Sequence, residues 1–172
     1  MASPPKMAKR KASKPKGEAR TSFKYPSFHE DVSKAVSHSI ASAWFNKNGS
    51  DKSSNNKYST NVMGKFRCSR NCRSGAHWSS KKVAILIRGY PGNGYDAVVF
   101  NQRCKSCDGL GALTLDQQSY VERVSYRLRK WAGVRVENQP YDGTKGLLPH
   151  KSELCEGCKR GYCKQGKNSF GE

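Results

Sequence analysis

Seven cysteines and one histidine are spaced as eight metal ligands, and no other feature of the chain constrains its fold as tightly. Cys68 and Cys72 form one close pair, Cys104 and Cys107 a second, and His150, Cys155, Cys158 and Cys163 a terminal cluster. Structural zinc takes four thiolate or imidazole ligands in a tetrahedron, and ligands a few residues apart on a tight turn can share one ion. Eight ligands make two such sets, so two zinc ions are expected. Disulfides are the competing use of cysteine. Against them stand the odd count and a lysine-rich N-terminus that lacks the apolar core of a secretory leader. A chain that is not exported meets a reducing compartment, nucleus or cytoplasm, where thiols stay available to metal.

Hydrophobic residues make up only 35% of the 172 residues, little for a chain that must bury a large core. Metal supplies stability that a small core cannot. The formal charge is +19, and seven thiolates with two zinc ions would leave it near +16. A charge of this size favours an acidic partner, with nucleic acid ahead of an acidic protein or a membrane surface. The longest strongly apolar run, 83–87, is far short of the ~20 residues of a membrane span.

Residues 1–22 form a basic, Pro/Ser/Lys-rich arm expected to be disordered. Within it, Lys9-Arg10-Lys11 and Lys14-Pro15-Lys16 resemble a nuclear localisation signal. Over 28–45, Phe28, Val32, Val36, Ile40 and Ala43 recur at spacings of three and four and predict one amphipathic helix. His29 and His38 lie on it as ordinary polar positions, without a cysteine nearby. Residues 46–59 read as a polar linker.

The metal module begins near Met63. Its first knuckle is Cys68-Ser69-Arg70-Asn71-Cys72. Residues 78–88 read as a strand, with Val83, Ile85 and Ile87 alternating against Ala84 and Leu86. Pro91-Gly92-Asn93-Gly94 is a turn, and 95–100 returns as a strand to Cys104-Lys105-Ser106-Cys107. The hairpin brings the second knuckle beside the first, so Cys68, Cys72, Cys104 and Cys107 can close one tetrahedron, as in zinc ribbons. A helix follows at 117–132. Thr114 or Asp116 can cap its start, with Gln117 completing a capping box from Thr114, and Gly133 stands at its end. Tyr120, Val124, Leu128 and Trp131 form its packing stripe. Arg123, Arg127 and Lys130 form a second, cationic stripe beside Tyr126. Residues 134–148 are an irregular connector.

In the last segment four ligands span fourteen residues, so a local site can close, with Gly157 and Gly161 permitting tight turns. His77 is a rival to His150 as the fourth ligand, and interleaving of the third cysteine pair with the others stays open. The expected fold is thus α+β: a small zinc-stabilised domain with a ribbon-like hairpin, a packing helix and a second C-terminal knuckle. Its divisions are the arm 1–22, the domain 27–166 with its metal module 63–166, and a tail 167–172.

These residues resemble the three-CxxC zinc-binding domain family. The resemblance is carried by Gly64-Lys65-Phe66-Arg67-Cys68, by Trp78-Ser79-Ser80-Lys81-Lys82-Val83, by Gln102-Arg103-Cys104-Lys105-Ser106-Cys107, and by His150 through Cys163. It covers about 27–166 and is strongest toward small fungal members of no assigned activity. Two other branches are the receptor-transporting proteins, implicated in helping membrane receptors reach the cell surface, and the zygote-arrest proteins, which bind messenger RNA through such a domain. The chain departs from the pattern in the three residues between Cys68 and Cys72. It is also expected, from its ending at Glu172, to lack the C-terminal anchor of the receptor-transporting branch.

Resemblance and charge together imply a non-catalytic module that binds RNA or another nucleic acid. The arm and Arg123, Arg127 and Lys130 would attract phosphates, and Tyr126 or Tyr162 would stack on bases. Trp78 and Trp131 read as core. The alternative is a soluble adaptor for a protein client. No HExxH, nucleotide-binding loop or deaminase signature marks an enzyme, and two full ligand sets would leave no open metal position.

Overall fold

The computed structural model describes residues 20–72, 76–137 and 150–163. The bulk of the basic arm, most of the 134–148 connector and the 167–172 tail lie outside the described residues. The elements are β1 (Ser22–Phe23), α1 (His29–Val36), β2 (Trp44–Phe45), β3 (Asn56–Cys68), β4 (His77–Tyr90), β5 (Gly94–Phe100), β6 (Gly111–Leu115), α2 (Gln117–Trp131) and α3 (Glu156–Lys159). This is the α+β class the sequence predicts, built on a larger sheet than a single hairpin. The strand order is β1-β5-β4-β3-β6, all antiparallel, with β2 added parallel to β5.

Two helical and strand expectations need correction. The first helix is shorter than 28–45. It stops at Val36, because the Ser37 hydroxyl donates to Lys34 O and Ser42 takes a positive φ of 55°. Serine hydroxyls compete with the helix for backbone partners. Ile40 is buried all the same, and Ala43 packs on the core from non-helical backbone. The polar linker is also shorter than 46–59, since β3 already begins at Asn56 and pairs with Gly89. From Val62 to Cys68, β3 alternates buried and exposed residues, the period of a half-covered strand. At α2, Asp116 is the N-cap and accepts from Ser119 N at 2.8 Å. Thr114 cannot begin a capping box because it lies in β6. Gly133 ends the helix at φ 77°, as expected for a left-handed stop.

The apolar run of β4 is explained by cover on both faces. Val83, Ile85 and Ile87 face a layer of α1 and α2, where they meet Val32, Val36, Val124 and Leu128. Tyr120 of α2 is fully buried there, edge-on to Tyr25 and Phe28 at 5.9 and 5.3 Å. Ala84 and Leu86 face the other way, onto Phe100, Cys155 and Cys163. The C-terminal segment is therefore the second lid of the sheet. Beside it lies a buried polar network. Asp96 is fully buried and accepts twice from Arg88, at 2.8 and 2.6 Å, once from Tyr90 at 3.1 Å, and pairs with Lys24 at 2.7 Å. Arg88 reaches on to Asp51 at 2.8 Å and holds that carboxyl below the usual range.

Candidate metal centres

The first centre stands at one end of the sheet. Cys68 is the last residue of β3, and its N–H donates to Ala76 O across the turn to β4. Cys104 and Cys107 sit in the turn between β5 and β6, which folds back through a bridge between Arg103 and Leu110. The two knuckles thus occupy the β3–β4 and β5–β6 connections, and the pairing of β3 with β6 brings them together. This refines the hairpin expectation: β4–β5 pairing alone reaches back only to Ile85, so β6 completes the approach. Each knuckle carries a left-handed residue, Asn71 at φ 48° and Asp108 at φ 56°. These two residue types adopt that conformation most readily after glycine.

The second centre is local, as its spacing predicts. Cys155 caps α3 and accepts from Cys158 N at 3.4 Å. Gly161 takes φ 76°, which turns the chain back to Cys163. Gly157 has a different task from the tight turn expected of it. A Cβ there would stand 2.5 Å from Ala84 Cβ, so its missing side chain lets α3 lie against β4. Gly157→Ala should cost about 1–3 kcal/mol by overpacking this contact. Urea denaturation of the zinc-loaded protein measures it, and an unchanged midpoint would show that the contact has slack.

The ligand atoms converge in both places. Cys68, Cys72, Cys104 and Cys107 form one group and His150, Cys155, Cys158 and Cys163 the other, with all atoms of a group within 4.8 Å of each other. A zinc tetrahedron with Zn–S of ~2.3 Å has S···S edges of roughly 3.8 Å and N···S edges of roughly 3.6 Å. Cys72 Sγ and Cys104 Sγ are 3.8 Å apart, and Cys68 Sγ and Cys107 Sγ 3.4 Å. His150 Nε2 lies 3.3 Å from Cys158 Sγ and 3.6 Å from Cys163 Sγ. The two groups fit two zinc ions. His150, and not His77, is the fourth member of its group, and the two sets are not interleaved.

Electrostatics explain why such clusters call for a cation. The Gly109 N–H favours a thiolate at Cys107, yet Cys68, burial and the other thiols outweigh it and push Cys107 up to about 11. Cys163 and burial likewise push Cys155 up. Neighbouring thiols cannot all ionise without an ion of opposite charge between them.

The second centre is fastened directly beside the first. Gln102 bridges Cys155, Arg103 N donates to Leu154 O, and Glu156 N donates to Asn101 O. Arg103 also donates to the buried Glu156 carboxylate at 2.6 Å. Tyr162 stacks on Phe100, with centroids 5.6 Å apart, and donates to Asp51 at 2.9 Å. Its expected role as an exposed base-stacking ring is therefore corrected: it is a wedge between knuckle and sheet.

The four predicted nucleic-acid contacts share α2. Arg123 and Lys130 are exposed, while Tyr126 and Arg127 are half-buried. The Arg127 guanidinium lies 3.2 Å over the ring of Tyr58, and Lys130 Nζ is 5.5 Å from the Tyr126 centroid. Tyr58, from the stretch that reads as a linker, is the member sequence reasoning misses. Trp78 and Trp131 pack against the core as expected, both half-buried.

Sheet, paired knuckles and two four-ligand groups define a zinc ribbon. The chain belongs to the three-CxxC zinc-ribbon family, whose model, described as a zinc-binding domain, matches residues 61–161. Among curated proteins it is similar to Receptor-transporting protein 4 of Mus musculus, with 32% identity over 113 residues. That alignment covers 56% of this chain and 44% of the relative, so the chain spans less than half of the relative's length. No solved structure matches. Among the described residues, no helix is long and apolar enough to cross a membrane.

Proposed function

We propose that this chain is a non-catalytic zinc module that binds single-stranded RNA inside the cell, where its thiols stay reduced. The observation that carries the reading is the mixed cationic and aromatic surface of α2 and β3, where the Arg127 guanidinium lies 3.2 Å over the Tyr58 ring, Arg127 and Lys130 both approach Tyr126, and Arg123 stands exposed on the same helix. Cations attract the phosphates and rings stack on unpaired bases. The net charge of +19 acts in the same direction at longer range. A structural role for the metals follows from the ligand sets: four protein ligands per ion leave no position for a reactive water.

Affinity for RNA should fall with salt on a log–log line, at roughly 0.7 per phosphate contact for single strands. Replacing Arg123, Arg127 and Lys130 by glutamine should lower that slope by about two. Zinc content should not change, because none of the three is a ligand. A shortened chain beginning at Arg20 is the control for the basic arm and retains β1. If it binds no RNA even at low salt, the domain is not the reader.

The second reading is a protein-interaction adaptor. What favours it is the likeness to a protein named for receptor transport. A salt-insensitive complex with a protein client would raise it above the first.

A further inference from the structure

A cleft of about 450 Å³ opens between the two metal centres. One wall is the start of β4, another is the Cys104–Cys107 turn, and the third is the segment that begins at His150. Its volume lies within the ~300–1,000 Å³ of small-ligand pockets. None of its lining residues is acidic, whereas Lys82, Lys105 and Lys151 all border it. Arg103 also lines it, but its guanidinium is committed to Glu156 and to Asp108 O. Among the described residues no ion pair engages Lys82, Lys105 or Lys151. Lys105 and Lys151 come from different knuckles and both line this cleft.

The wall of the cleft is aromatic and fixed. Trp78 stacks on Phe66 with ring centroids 5.1 Å apart and planes 4° from parallel. Its indole N–H donates to Gln102 Oε1 at 3.1 Å, and the Gln102 amide donates in turn to Ser80 Oγ at 3.1 Å. The ring is thereby held in one orientation without a ligand, and it lines the cleft. A flat apolar wall beside a cationic rim matches a molecule that is planar at one end and anionic at the other.

We infer that this cleft is a pocket for one unpaired nucleotide, with the base against Trp78 and the phosphate between Lys105 and Lys151. The inference rests on the RNA reading and adds a contact point away from α2. Residues of both knuckles build the pocket, and the Gln102–Cys155 bridge with the Arg103–Glu156 pair holds those knuckles side by side.

The test uses the full zinc-loaded chain and a short single-stranded oligouridylate. The Lys105→Gln/Lys151→Gln double variant should bind roughly 25-fold more weakly at about 0.1 M salt, the counterion-release contribution of two phosphate contacts on a single strand. On titration into the wild type, the Trp78 indole N–H resonance should shift. Unchanged zinc content confirms that the variant is folded, and the indole signal of the wild type decides independently of the variant. If the wild type binds RNA while the double variant binds equally well and the indole stays still, the cleft is a bystander and only the α2 reading stands. If the wild type binds no RNA, both readings fall. If polyglutamate shifts the indole as strongly as RNA and competes at equal affinity, the cleft is an anionic-peptide site and the nucleotide assignment is overturned.

Discussion

Replacing Cys104 by serine should release one zinc ion per chain and unfold the end of the sheet where the two knuckles meet. The thiol is fully buried and belongs to the group of Cys68, Cys72 and Cys107. Structural zinc contributes an apparent ~10–16 kcal/mol of binding free energy that is also folding free energy. The whole stability of a domain is only about 5–15 kcal/mol, so loss of one ion is enough to decide whether it folds. Zinc content by mass spectrometry should fall from two ions to one, with a large drop in melting temperature. The damage should reach the second centre as well, because Arg103, next to Cys104, is bonded to Leu154 and Glu156. A serine variant that keeps two ions and melts like the wild type would remove Cys104 from the ligand set.

Asp96→Asn should be the most destabilising change outside the ligands, by about 3–5 kcal/mol, as expected when one partner of a buried charge network is neutralised. Asparagine keeps the shape but can no longer balance Arg88 and Lys24, both of which converge on this carboxylate. The exposed pair of Glu30 and Lys34 is the contrast. Glu30→Gln should leave the unfolding midpoint where it was, because water screens that pair. Urea unfolding of both variants in the presence of zinc makes the comparison. Equal midpoints for the two would mean that the Asp96 network is no more than a satisfied surface.

The eight ligands could be read from the sequence because few residue types bind zinc and short spacings mark them. Their partition, expected as two sets with interleaving and His77 left open, is settled by the structure. The apolar run of β4 and the turn at Asn93 were equally legible, since periodicity and turn chemistry are local. What lay hidden depends on distant partners. Asn56, Lys57 and Ser59 have no apolar alternation, yet they continue β3 because β4 offers its full length as a template. Tyr162 reads as an available aromatic ring, but Phe100 and Asp51, remote in sequence, bury its role. Gly157 reads as a turn glycine until Ala84 stands against it. The cleft draws on separate stretches of the chain, so no spacing within any one of them announces it.

The N-terminal strand has a consequence for how this domain can be joined to other chain. Asn101 donates to Thr21 O and to Arg20 O, and Thr21 is hydrogen-bonded to Arg160, three residues before Cys163. Arg20 and Thr21 therefore lie beside the segment that ends at Cys163. Domains whose two ends are adjacent can be spliced into a longer polypeptide without distorting either. Sequence joined to Arg20 and sequence joined to Cys163 would therefore leave from neighbouring points, with Cys163 on the sheet face away from α1 and α2.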